Sequence, residues 1–317
     1  MKNIWLSLSL LLLLLLSAAF AESLHIVVGS GVRLRQSPSA KAQEVTRLAF
    51  GAIAEERGKS DTQETIGGKQ SYWYHIALED GQSGWAFGAF LQPFQAEQKE
   101  TIYRDITRAR LQQPIGTTEY IDLVHFLTRA VSEVATPDIK AELEFDRLIA
   151  LRQSVEMGQQ QSFPQLDAWI AEQRAELEFH QLGAFWFVPA INFWRLQETY
   201  PALPIADEMA WQAVNAPTQG ECEGFLPCHV SRLNQTFGRY LELYPAGEHV
   251  ADALAAIQQE LSGFTTQPGE QYDRTSYISL QNSLNRLRKI VEQVNDPGKD
   301  ALLERIAQIK EQHLTRK

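Results

Sequence analysis

Positive charge, cysteine and long apolar runs are scarce in this chain, and each shortage removes a class of function. Lys and Arg number 29 against 39 Asp and Glu, a formal net charge of −10 over 317 residues. Nucleic-acid affinity rests mainly on Lys and Arg neutralising phosphates, so an acidic chain of this kind is a poor binder of DNA or RNA. The only two cysteines, Cys222 and Cys228, leave one bridge at most, enough to pin a local turn and little else. Beyond the leucine-rich start, no stretch approaches the roughly 18 uninterrupted apolar residues of a membrane span. No span is therefore expected in the mature chain. Catalytic signatures are missing too: there is no His-Glu-x-x-His, no glycine-rich phosphate loop and no Gly-x-Ser-x-Gly elbow. The expectation is a non-enzyme with no catalytic residue, no metal and no cofactor.

What is present begins with a leader. Met1 to Ala21 carries a single basic residue, Lys2, then a leucine-rich run from Leu6 to Leu16, then small residues at Ala19 and Ala21. That order predicts a secretory signal peptide over 1–21, cut after Ala21. No cysteine stands at the cut to take a lipid, so a periplasmic or secreted location is expected. In an oxidising compartment, Cys222 and Cys228 most simply form a disulfide. Closing their loop of seven residues is worth roughly 2 kcal/mol by chain entropy.

Two regions of different period follow. Over 22–96, short apolar runs such as His25 to Val28, Val32 to Arg35, Tyr72 to Leu78 and Gly84 to Leu91 alternate with turn residues at Gly29 to Gly31, Ser37-Pro38 and Asp80-Gly81. This spacing predicts a small β-barrel or sandwich. Lys59 to Gln70 is polar and holds Gly67-Gly68, which predicts a long exposed hairpin loop. Over 97–317 the period is helical, with apolar stripes over 98–113, 117–134, 137–158, 164–182, 205–215, 229–243, 247–262, 272–294 and 298–314. Thr136-Pro137-Asp138 and Asp296-Pro297 are helix-start signals. The expected fold is multi-domain α+β, a small β-barrel followed by an all-α helical domain.

Within the β-region, Val32-Arg-Leu-Arg35 precedes Ser37-Pro38-Ser39. Further on come Trp73-Tyr74-His-Ile76, Asp80-Gly81-Gln82-Ser-Gly84-Trp85-Ala86 and Gly88-Ala89-Phe90-Leu91. In these segments the chain resembles the bacterial SH3-like family, departing from it by the polar insertion at 59–70. The resemblance implies a non-catalytic SH3-like β-barrel that binds cell-wall peptides, such as those of peptidoglycan, or other extracytoplasmic polymers. It also implies that a cell-wall hydrolase can accompany the module. Among the aromatics, Ile76 and Trp85 read as core. Tyr72, Trp73, Phe87 and Phe90 are the candidate ligand contacts, since an aromatic cluster on a small barrel stacks on a sugar ring or a peptide.

The helical region offers weaker candidates. Glu176 and His180 stand four apart on an expected helix and read as a surface contact. Cys222, Cys228, His229 and His249 lack a close Cys pair, which weighs against zinc. A cysteine nucleophile assisted by His229 would need a reduced thiol. Phe185 to Trp194 is dense in aromatics and reads as buried core, and Glu221 and Glu223 sit on the cysteine loop, a candidate site rim. Arg239 to Pro245 followed by Gly247 to Leu254 resembles the helix junction of tetratricopeptide-like hairpins, which implies helix pairing and a scaffold role. The resulting expectation is an exported cell-envelope protein whose barrel binds peptidoglycan or a protein and whose helices meet a partner. The alternatives are a cell-wall hydrolase or an envelope assembly factor with its site in the helices.

Overall fold

The computed structural model describes residues 23–264 and 272–314, and the expected signal peptide over 1–21 lies outside the described residues. The chain divides into two compact units after Ile115.

The first unit is a curled, seven-stranded antiparallel half-barrel. Its strands are β1 (Leu24–Val27), β2 (Val32–Arg35), β3 (Glu44–Leu48), β4 (Ile53–Ile66), β5 (Lys69–Ala77), β6 (Ser83–Phe87) and β7 (Leu91–Phe94), in the order β3-β2-β6-β5-β4-β1-β7. Side chains alternate across a strand, so Tyr74 and Ile76 of β5 and Ala86 of β6 turn into a core with Val27, Val32, Leu34, Leu48 and Ala54. Trp73 and His75 take the other face, where they pair with Phe87 and Trp85 of β6. Trp85 is thus not a core residue as the sequence reading had it, because its neighbour Ala86 occupies the inward position. β6 approaches β2 so closely that a Cβ on Gly84 would lie 2.7 Å from the Arg35 carbonyl oxygen, which only glycine tolerates. Helix α1 (Lys99–Leu111) falls in this unit, and its Tyr103 ring stacks on Phe94 at 6.3 Å.

The polar insertion differs from the expected loop. β4 runs for 14 residues and pairs with β5 down to Ile66 opposite Lys69, with register shifts along the way. Gly67 and Gly68 take φ of +57° and +79°, the left-handed geometry of a two-residue hairpin turn, which matches strand twist and lets a polar segment continue the ladder.

In the second unit, α2 (Thr117–Glu133) pairs with α3 (Pro137–Gln160), and α4 (Leu166–Glu172) follows. A short hairpin of β8 (Glu178–His180) and β9 (Phe185–Phe187) comes next. The remaining helices are α5 (Ala190–Thr199), α6 (Ala206–Val214), α7 (Leu226–Gln235), α8 (Phe237–Leu243), α9 (Val250–Ser262), α10 (Arg274–Gln293) and α11 (Lys299–Leu314). They form hairpins that pack in chain order: α3 meets α5, α6 meets α8, α7 meets α10 and α9 meets α11. Three turns between paired helices carry a proline, Tyr200-Pro201-Ala202, Tyr244-Pro245-Ala246 and Asp296-Pro297-Gly298. Pro201 and Pro245 follow directly on the capping residue of the first helix and, having no N–H, cannot continue its ladder, whereas Pro297 precedes the start of α11.

Three local expectations change here. The helix expected over 164–182 ends at Glu172, and the aromatic run beyond it pairs as β8 and β9. Glu176 and His180 consequently share no helix face. Glu176 binds Arg147 at 2.8 Å, and His180 stacks on Phe185 at 4.9 Å. The helix expected over 229–243 is broken at Thr236, whose ψ is −102°. The aromatic segment contains the unforeseen helix α5, and it is core, with Phe187, Val188, Phe193 and Trp194 all buried.

One buried hydroxyl joins two of these hairpins. Tyr240 of α8 is fully buried, donates to Asp207 of α6, and accepts the His249 backbone N–H at 3.0 Å. The second Asp207 oxygen accepts the Glu248 N–H at 2.9 Å, while the His249 ring stacks on Trp211 at 4.6 Å. Burial, and then the Asp207 carboxylate, push the Tyr240 hydroxyl far above the ordinary phenol range, so it stays a donor. Tyr240→Phe leaves Asp207 and the His249 N–H without this partner and is expected to cost about 1–3 kcal/mol in urea unfolding of the helical unit. An unchanged midpoint would show that the hydroxyl does not join the hairpins.

His25 gives the first unit a pH dependence. It is 6% exposed, its Nδ1 makes no hydrogen bond, and Glu56 lies 3.7 Å away. Burial lowers its pKa from the ordinary value of 6.5, with Glu56 opposing. The unfolded chain therefore binds the proton more readily, so the stability this site contributes is present above pH about 6.5 and is lost as pH falls through the lower folded value. Between pH 7 and 5 the sheet unit should lose stability, and His25→Phe should flatten that part of the profile.

Candidate ligand groove of the sheet unit

A groove of about 590 Å³ opens on the sheet face opposite the core, lined by Pro38, Ser39, residues 59–64, Trp73 and Trp85. Each wall has a local cause. Pro38 and Ser39 sit in the turn between β2 and β3. Opposite them the ladder skips from Lys59, paired with Tyr74, to Gln63, paired with Tyr72, so Ser60, Asp61 and Thr62 bulge out. The Ser60 hydroxyl pins this bulge by donating to the Thr62 carbonyl at 2.8 Å and accepting the Trp73 N–H at 3.0 Å. The indole N–H of Trp73 donates to Glu64 at 2.7 Å. Trp85 packs against His75 at 5.2 Å and is only half-buried, leaving indole surface in the groove.

The electrostatics are locally acidic. Asp61 and Glu64 line the groove, while the Lys59 ammonium is held over the Tyr72 ring at 4.3 Å. One half-exposed indole, that of Trp85, with carboxylates, hydroxyls and an amide at one rim suits a polar polymer with flat or ring-shaped faces: indole stacks on the ring and the rim accepts its hydrogen bonds.

The four aromatic candidates are divided by this geometry. Trp73 lines the groove, although it is only 3% exposed. Phe87 is buried edge-on to Trp73 at 5.4 Å. Phe90 packs against the core with Lys69 at 5.0 Å, and Tyr72 lies half-buried under Lys59. Tyr72, Phe87 and Phe90 do not line the groove. Neither the outward direction of Trp85 nor the bulge is legible from hydrophobic period. The Asp80-Gly81 turn held the signal, since it sets the register that places Trp85 beside His75.

Residues 30–92 match the family model described as the bacterial SH3 domain. That match suggests a binding module. The helical remainder falls outside the match, and no curated protein and no solved structure matches the chain.

The helical candidates find other partners. Cys222 and Cys228 lie at disulfide distance, with sulfurs 2.05 Å apart. His229 contacts Glu260, and His249 contacts Glu208 at 2.8 Å. Among the described residues no three His, Cys, Asp or Glu gather at metal-binding distance. Glu221 and Glu223 are exposed.

If the bulge is held as the contacts indicate, Glu64→Ala strands a buried indole N–H and loosens one wall. The expected cost is about 1–3 kcal/mol in urea unfolding of the bacterial SH3 domain. Glu64→Gln, which keeps an acceptor, should recover most of it.

Proposed function

We propose that the protein is exported, loses residues 1–21 after Ala21, and acts in the periplasm or outside the cell as a non-catalytic envelope protein. Its bacterial SH3 domain holds peptidoglycan in the groove, and its helical unit meets a protein partner. One observation carries the reading: the half-exposed indole of Trp85, beside the buried Trp73, faces a rim of carboxylates and hydroxyls on a domain of a family of binding modules. A disulfide pair supports an oxidising compartment. Among the described residues no helix is long and apolar enough to cross a membrane.

The groove can bind a ligand that alternates sugar rings and short peptides, since stacking takes the ring and the Asp61 to Glu64 rim takes amide or hydroxyl hydrogens. No reaction is assigned to it. The test is co-sedimentation of the chain from Glu22 onward with purified sacculi, while soluble fragments are assayed. The chain should pellet and release nothing. Trp85→Ala, half-buried and outside the core, should weaken binding about tenfold or more with little change in melting temperature. Release of muropeptides would turn the reading to a hydrolase, and undiminished binding by Trp85→Ala would move the ligand off this groove.

A further inference from the structure

A second groove, of about 460 Å³, lies wholly within the helical unit between the C-terminus of α6, the α7–α8 junction and α9. Its apolar part is formed by Val214, Leu233, Phe237 and Ala256. Arg232 stands at its edge. Some arginines of the unit have carboxylate partners, as Arg147 has Glu176 and Arg239 has Glu198, while Arg305 spends its guanidinium on the Leu261 and Phe264 carbonyls. Arg232 has none within ion-pair distance among the described residues. Its Nη2 donates instead to the Gly220 carbonyl at 3.2 Å. Glu260, the groove's own carboxylate, is taken by His229.

A guanidinium without a carboxylate, in a chain with an excess of acidic residues, is a charge left for a ligand. Its hydrogen-bond geometry matches a carboxylate better than any other common anionic group except phosphate. The adjoining surface is apolar and small. Thr218 and Gln259 add polar groups along the walls, where a peptide amide finds partners and an alkyl chain does not. We propose that this groove captures the C-terminus of a protein partner, an apolar last side chain entering among Leu233, Phe237 and Ala256 and the terminal carboxylate meeting Arg232. This deepens the partner-binding part of the function proposed above and is independent of the peptidoglycan groove.

The cysteine pair acquires a role in this arrangement. Gly220 lies just ahead of the loop that Cys222 and Cys228 close, and the Gly220 carbonyl holds Arg232. Tying Cys222 to the first turn of α7 anchors the chain two residues after Gly220, which narrows the positions this carbonyl can take and so where it holds the guanidinium.

The experiment uses the full chain and fluorescein-labelled octapeptides of mixed sequence ending in Leu, Val, Phe, Ser or Lys. Each is made as the free acid and as the C-terminal amide, and binding is read by anisotropy. Free acids ending in an apolar residue should bind about tenfold or more tightly than their amides, and Arg232→Gln should erase that difference. Arg232→Lys should restore part of it. Ala256→Trp, which fills the groove without touching Arg232, should abolish binding, and reduction of the cysteine pair should weaken it. Equal binding of acids and amides, no binding of any peptide, or an acid preference that survives Arg232→Gln would overturn the proposal. So would Arg232-dependent binding of dodecanoate with no binding of peptides, which would assign the groove to a free acyl carboxylate. Sacculus co-sedimentation is read separately, so loss of peptide binding alone would leave the peptidoglycan reading standing.

Discussion

The pairing of β5 with β6 governs both faces of the sheet unit. Once His75 lies opposite Trp85 and Trp73 opposite Phe87, alternation leaves Tyr74, Ile76 and Ala86 no choice but the core. A slip of one residue would exchange the two sets and turn the Trp85 indole away from the groove. The register is held by the Asp80-Gly81 turn and by Gly84, whose missing Cβ lets β6 close on the Arg35 carbonyl of β2. Curvature, core and groove thus share one cause, and the binding face follows from building the hydrophobic core.

That face would be a shallow strip without the insertion. Residues 59–66 present no apolar stripe and add little to the core, so their order comes from the ladder with β5 and from polar contacts to Trp73. The bulge at Ser60 to Thr62 lets the strand leave the ladder and rise beside the indoles, and the same three residues supply the rim. A segment that looks dispensable for stability is therefore the one that gives the groove its depth.

What the sequence disclosed follows from the kind of force that leaves a trace in it. Hydrophobic period and breaker residues marked the strands from Leu24 to Phe94, the helix pairs α2 with α3 and α10 with α11, and the SH3-like motifs. The spacing of Cys222 and Cys228 marked their bond. Backbone pairing leaves no hydrophobic trace, so a polar ladder at 59–66 read as a loop, and the short β8–β9 hairpin read as the end of a helix. Trp85 read as core because its size favours burial, whereas its direction depends on a register set by a turn several residues earlier. The break at Thr236 and the helix α5 are decided by packing against neighbouring hairpins, which a local window does not contain.

The helical unit repeats one solution with variations. A helix ends at a proline turn, the next returns along it, and the following pair stacks on both. Tyr240 adds a polar lock between α6 and α8, satisfied on every side, so it fixes one arrangement where apolar packing alone tolerates several. Between α6 and α7 the short proline turn is replaced by the connection from Ala216 to Phe225, whose end the cysteine bond ties into the first turn of α7. A free connection of that length would carry many conformations at a groove edge, and each would place the Gly220 carbonyl differently. Tying its end to α7 narrows that set before binding, which helps a single arginine discriminate a carboxylate from an amide.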